Sequence, residues 1–478
     1  VRSRDALLWG VLAAVLLVPS ARAQEKTGST KDPAAVQDPA DRPMTRAEWK
    51  AQRQEDLQRI EALERELREI KQRLAQEPPP SAPPETAAET GAKEPTETQQ
   101  AAAQAGPAEG TPPAAGAWKV GYHEGGGGFY AESPDGDYAM RSLGYVQATA
   151  GVYHDDFERT DAPGDFGLRR ARLDWIVDYK KKHRLFVEFD GGPGSTPGTS
   201  DFALVVAELD YSLEGDDLVV SAGKFVSPFS TENRLSSRSL DTVERYIALN
   251  SMFLLPALDV QYGAMVSGKV AANRLEYYLG VFNGNGRAND NLSDDNGDKE
   301  IQAKLNYFPR DGARFGLGFD WSNEERQSLQ LRGLSFTPWV AVPIEGTRRG
   351  VTADFGWSLG RLHLRGEGLA YDFADAGASL GGGFVQGAWA LRGDRSNGEE
   401  ILLRLETAAI GSDRVTLDGD RIDAATLGLN LFRLGVIRWQ IDLVAEHYNG
   451  LSNLPANQSR VEGDGWKPYL LTELQLKF

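Results

Sequence analysis

From about Tyr138 to the C-terminus, apolar and polar residues alternate in short runs. Successive strand side chains point to opposite faces, so each run reads as a strand with one greasy and one wet face. In 436–448, Ile437, Trp439, Ile441, Leu443 and Ala445 share a face opposite Arg438, Gln440, Asp442 and Glu446. In 298–308, Ile301, Ala303, Leu305 and Tyr307 oppose Glu300, Gln302, Lys304 and Asn306. The final run sets Leu470, Thr472, Leu474, Leu476 and Phe478 against Glu473, Gln475 and Lys477. Sixteen such segments are predicted, at 138–154, 166–180, 183–191, 202–212, 217–226, 260–270, 273–283, 298–308, 313–322, 347–359, 361–372, 380–392, 399–412, 422–433, 436–448 and 466–478.

Their connections alternate in length. Tight turns are expected at Lys181-Lys182, 214–216, Ala271-Ala272, 309–312, Gly360, 393–398 and Leu434-Gly435. Longer polar loops fall between them, at 155–165, 192–201, 227–259, 284–297, 323–346 and 449–465. Short turns at one end and long loops at the other, with an even strand number, are the pattern of an outer-membrane barrel, whose wet face lines a lumen and whose greasy face meets lipid. Closure removes the sheet edges that lipid cannot satisfy. The fold class expected is therefore all-β, a sixteen-stranded antiparallel transmembrane β-barrel spanning 117–478.

The N-terminal part has a different character. Arg2 and Arg4, an apolar run from Ala6 to Val18 and the small-residue site Ala21-Arg22-Ala23 predict a signal peptide over 1–23, with an uncleaved anchor as the alternative. Residues 24–44 read as disordered. Residues 45–76 carry Ile60, Leu63, Leu67, Ile70 and Leu74 at a 3,4 spacing, a heptad seam in a helix that Thr45 and Glu48 cap. Either a coiled coil or a solvated charged helix satisfies that pattern. The stretch 77–116, headed by PPPSAPP, is a Pro/Ala-rich linker without the apolar residues to form a core.

Composition narrows the chemistry. The chain has no cysteine, which excludes disulfides, thiolate nucleophiles and Cys-rich metal sites. A net charge of -17 argues against a nucleic-acid partner, which is bound through clustered Lys and Arg. No cofactor is expected.

Sixteen strands enclose an aqueous channel, and the longest connection, 227–259, is the candidate for narrowing it. The segment GKFVSPFSTENRLSSRSLDTVERYIALNSM from Gly223, together with LRRARLDWIVDYKKKHRLFVEFDGG at 168–192 and LGVFNGNG at 279–286, closely resembles the phosphate-selective porin O/P family over roughly 138–478. The resemblance implies a homotrimeric channel in the outer membrane, the third loop folded into the lumen, and Arg and Lys that pass phosphate or other small anions inward. A terminal aromatic such as Phe478 resembles the signal read by the barrel-assembly machinery. Beneath the barrels, the helix would serve either trimerisation or tethering to the cell wall or a periplasmic partner.

Guanidinium groups give bidentate bonds to phosphate oxygens, and ammonium groups act as point charges. The constriction candidates are Lys224, Arg234, Arg238 and Arg245, with Ser236 and Ser237 as neutral donors. Alternation places Arg170, Arg172, Lys269, Arg274, Lys304, Arg365, Arg404 and Arg438 on the lumen wall. A structural reading stands beside this one. Asp174, Asp178, Glu188, Glu208, Asp210, Glu276, Glu367, Glu406 and Asp442 face the same lumen and are available as ion-pair partners, and Arg245 beside Glu244 is placed to pin the loop.

Other chemistry is thinner. His447 to Asn453 contains His, Ser and Asn, the residue types of an outer-membrane phospholipase, without a nucleophilic spacing. The acidic stretch 294–298 lacks the EF-hand ligand pattern for calcium. Gly284 and Gly286 are followed by no helix that would make a dinucleotide site.

Overall fold

The computed structural model describes residues 116–125, 127–153, 166–192, 203–253, 258–284, 297–336, 338–413, 420–450, 454 and 465–478. The leader, the helix 45–76, the linker up to residue 115 and most of the 294–298 stretch lie outside the described residues.

A short hairpin comes first, β1 (Lys119–His123) and β2 (Gly128–Glu132). The wall follows as β3 (Tyr138–Val152), β4 (Phe166–Tyr179), β5 (His183–Asp190), β6 (Ala203–Ser212), β7 (Val219–Val226), β8 (Val260–Val270), β9 (Leu275–Phe282) and β10 (Glu300–Arg310). It continues as β11 (Ala313–Arg332), β12 (Pro338–Leu359), β13 (Leu362–Phe373), β14 (Ala378–Arg392), β15 (Gly398–Ser412), β16 (Arg421–Arg433), β17 (Ile437–Asn449) and β18 (Trp466–Lys477). From β3 onward each strand pairs antiparallel with the next. β18 returns to β3, from Leu470 opposite Val152 to Lys477 opposite Tyr145, and closes a sixteen-stranded barrel. Each segment anticipated from alternation is a wall strand.

The pairing runs to the last residue, where Phe478 and Gly144 exchange backbone hydrogen bonds of 3.0 and 2.9 Å. A Cβ on Gly144 would lie 2.7 Å from the Phe478 ring, so glycine lets that ring lie flat on the wall. At the β16–β17 turn Leu434 and Gly435 have φ of 56° and 70°, the two left-handed positions that a two-residue type I′ turn needs.

Outward positions are large and apolar: Leu317 on β11, Leu403 and Leu405 on β15, Leu443 on β17 and Leu474 on β18 are each more than half exposed. This band is what lipid covers. Inward positions are polar and buried, including Glu300, Gln302 and Lys304 on β10.

Two features depart from the expectation. The β1–β2 hairpin was not anticipated as strand, and β2 pairs with the start of β3, from Phe129 opposite Ser142 to Glu132 opposite Ala139. The span 323–346, expected as a polar loop, is the far half of a long β11–β12 hairpin. A register shift between Glu324 and Gln327 reverses the facing of β11: Leu317 and Phe319 point out, whereas Leu329 and Leu331 point in and are fully buried. With Val340, Val342 and Ile344 of β12 they join an apolar cluster inside the barrel mouth, together with Tyr371 and Phe373 of β13 and residues of the 227–259 loop.

Candidate functional site

The connection between β7 and β8 folds into the lumen as α1 (Thr231–Arg234), a 3-10 turn at Ser237–Ser239 and α2 (Ile247–Met252). Ser230 caps α1 by accepting from the Asn233 N–H at 3.0 Å and donates its own hydroxyl proton to Glu367. The loop is buried because apolar positions Phe229, Val243, Tyr246, Ile247, Leu249 and Met252 pack under the β11–β12 hairpin. Leucine-sized side chains each contribute about 1.5–3 kcal/mol when fully buried.

Wall side chains satisfy the loop's backbone. Glu406 accepts from the Ile247 N–H at 2.7 Å and Asp442 from the Val243 N–H at 2.8 Å. Arg438 donates to the Leu240 carbonyl at 2.6 Å, and Asn430 to the Asp241 carbonyl at 2.9 Å. Lys304 donates to the Phe229 carbonyl at 3.2 Å and pairs with Asp354 at 2.5 Å. Arg404 pairs with Glu232 at 3.1 Å, and Arg365 and Arg395 pair with Asp241 at 3.3 and 2.8 Å. Burial pushes the Asp241 carboxyl up, but Arg365 and Arg395 outweigh it and hold the group below the usual carboxylate range.

Four of the anticipated wall cations, Lys304, Arg365, Arg404 and Arg438, therefore hold the loop. Lys269 is half-buried, one residue before the end of β8. Arg274 is not on the wall: it is exposed and closes the β8–β9 turn, its N–H donating to the Ala271 carbonyl at 3.2 Å. Lys224 is buried in the wall, donating to the Leu204 carbonyl at 3.1 Å with its ammonium 5.5 Å from the Tyr262 ring centre.

Among the described residues, the two larger cavities beside the loop both border Leu235. The larger, about 1030 Å³, opens among the short turns, where Arg310, Arg314, Arg361, Arg365 and Arg395 are mixed with Glu232, Asp241, Asp311, Glu367, Asp394, Glu399 and Glu400. The smaller, about 490 Å³, lies between the loop and the β4–β7 wall. Its arginines are Arg169, Arg170, Arg172, Arg234, Arg238, Arg245 and Arg332; its carboxylates are Asp174, Glu188, Asp190, Glu244 and Asp259. Ser236 and Ser237 also line it.

The arginines differ in how far they are neutralised. Arg172 is buried against Glu188 and Asp190 at 2.6 and 2.9 Å. Arg238 approaches Asp174 at 3.5 Å. Arg170 donates to the neutral Gln147 side chain at 3.1 Å, and exposed Arg234 stacks 4.0 Å from the Tyr278 ring centre. Arg245 donates to the Leu235 carbonyl at 2.7 Å, and its other Nη is buried without a hydrogen-bond partner among the described residues. Burial pushes the Arg245 guanidinium below its ordinary value.

Five of the six constriction candidates thus border one cavity, together with Arg170 and Arg172. The expected pinning of the loop is made by Arg169, which reaches Glu244 at 2.9 Å. Arg169 escaped the alternation because β4 carries an extra residue there: Arg170 faces Gln147 and Leu168 faces Ala148, so Arg169 is unpaired and turns inward beside Arg170. Arg332 was missed because its segment read as a loop. His447, the other candidate for chemistry, has its ring 5.4 Å from exposed Trp466.

A closed sixteen-stranded antiparallel barrel with a greasy exterior, a polar interior and an infolded third loop defines an outer-membrane porin. Residues 142–457 match the family model described as phosphate-selective porin O and P, and the chain belongs to that family. No curated protein matches it by sequence. Its fold is similar to that of OmpT, an outer-membrane protein of Vibrio cholerae solved in trimer form (TM-score 0.50, 11% identity, covering 71% of this chain and 99% of that one). It is similar also to the anion-selective porin from Comamonas acidovorans (TM-score 0.50, 12% identity, 71% and 100%).

Proposed function

We propose that this porin admits small hydrophilic solutes by passive diffusion with a preference for anions, phosphate among them, and that loop 227–259 sets the constriction. The carrying observation is the smaller cavity, where seven arginines face five carboxylates and where, among the described residues, Arg170, Arg234 and Arg245 make no ion pair. A ring of such cations lowers the barrier to an anion leaving bulk water. The family membership and the anion-selective neighbour support the reading, and the neighbour solved in trimer form supports a homotrimer.

The test is the reversal potential of the purified protein in a planar bilayer under a potassium chloride gradient, followed by titration with phosphate. Chloride selectivity with phosphate block, weakened in Arg234→Ala and Arg238→Ala, supports an anion site on the loop. Potassium selectivity overturns it. The ion pairs of Arg172 and Arg238 favour a second reading, a general porin of little selectivity with the N-terminal helix as a tether; that reading predicts a reversal potential near zero.

A further inference from the structure

The smaller cavity has an apolar side that an inorganic anion does not use. Phe186 of β5 stands half-buried between inward-facing Arg184 and Glu188 and borders the cavity. Two residues further along β5, the facing β6 carries an extra residue: Glu188 pairs with Val206 and Phe189 with Leu204, so Val205 is unpaired and turns inward next to Val206. Both valines are buried and border the cavity. Phe336, at the tip of the β11–β12 hairpin, closes the space from above, with the Arg169 guanidinium 4.9 Å from its ring centre. Two bulges thus act on one cavity, the first adding a cation (Arg169) and the second an apolar residue (Val205).

Resting on the anion reading above, we infer that the favoured solutes of this site are organic monocarboxylates with an apolar body, aromatic or alicyclic, rather than inorganic phosphate. The carboxylate would meet Arg170 and Arg234, and the body would lie on Phe186, Val205 and Phe336. A cavity of about 490 Å³ is large for a tetrahedral oxyanion and falls in the range that small organic ligands occupy. A phenyl group placed half against such a surface strengthens retention about tenfold or more over a methyl group.

The experiment compares block of chloride current by acetate, benzoate, cyclohexanecarboxylate and inorganic phosphate in bilayers of the full-length protein. Benzoate and cyclohexanecarboxylate are expected to block at concentrations about tenfold below acetate, and Phe186→Thr or Phe336→Asn is expected to bring that ratio close to one. Because the ratio is read within one channel, a variant that merely distorts the pore moves both blockers alike and leaves it unchanged. Equal block by acetate and benzoate, or stronger block by phosphate than by either, in a chloride-selective channel overturns this inference and leaves the anion reading standing. A potassium-selective channel overturns both.

Discussion

Arg169 reaches the Glu244 carboxylate at 2.9 Å from a position that strand alternation assigns to the outside of the barrel. The extra residue in β4 turns it inward, so one side chain both fastens the loop and adds charge to the smaller cavity. The two roles separate by sign. Arg169→Gln removes a cation and is expected to lower the chloride-to-potassium permeability ratio, whereas Glu244→Gln removes an anion and is expected to raise it. Reversal potentials of the two variants decide the matter; shifts in the same direction would mean the pair acts only as a fastener.

Arg172 and Arg234 border the same cavity in different states. Arg172→Ala leaves Glu188 and Asp190 buried without their cation, a change that costs about 3–5 kcal/mol in comparable buried pairs. A clear fall in the melting temperature of the detergent-solubilised protein is expected. Arg234 is exposed, so Arg234→Ala is expected to leave melting within about 0.5 kcal/mol while lowering anion selectivity. Thermal melts paired with reversal potentials would show the contrast.

Asp241 gives its own contacts with Arg365 and Arg395 a pH limit. A carboxyl held low contributes stability that is complete above its unfolded range near pH 4 and is lost as pH falls through the lower folded value. The part of the loop's hold that Asp241 supplies, read as the difference in current noise between the unaltered channel and Asp241→Asn, is therefore expected to stay constant from neutrality down to about pH 4 and to shrink only below it. Asp241→Asn removes the charge that Arg365 and Arg395 face and is expected to raise current noise at neutral pH. A difference between the two channels that vanishes already at pH 6 or above would contradict this assignment.

The apolar cluster under the β11–β12 hairpin is expected to act as a partial plug. Leu331→Asp places a charge in its fully buried interior, which the hairpin can relieve by lifting toward solvent. Single-channel conductance should then increase while the barrel remains resistant to protease. An unchanged conductance would show that the hairpin does not narrow the pathway.

Alternation made the wall legible because sixteen strands repeat one physical demand, lipid on one side and water on the other. The same rule failed where a single residue is inserted, at Arg169, at Val205 and between Glu324 and Gln327, since an insertion reverses facing without changing composition. It also could not say what an inward cation meets. Lys304, Arg365, Arg404 and Arg438 look identical to Arg170 in the sequence, yet they are engaged by a loop that enters the lumen from far along the chain. The β11–β12 extension was misread because its polar residues Asn323 to Gln327 mark the reversal itself, not a turn.

The loop leans on β10 to β18 and leaves its arginine-lined gap against β4 to β7, so the passage is eccentric. The arginine-rich gap then occupies one side of the circumference, and much of the opposite side serves as anchorage. A substitution at Arg170, which meets only the neutral Gln147 among the hydrogen bonds described, can retune the traffic while those anchoring contacts are untouched, which separates what the channel carries from what keeps it folded.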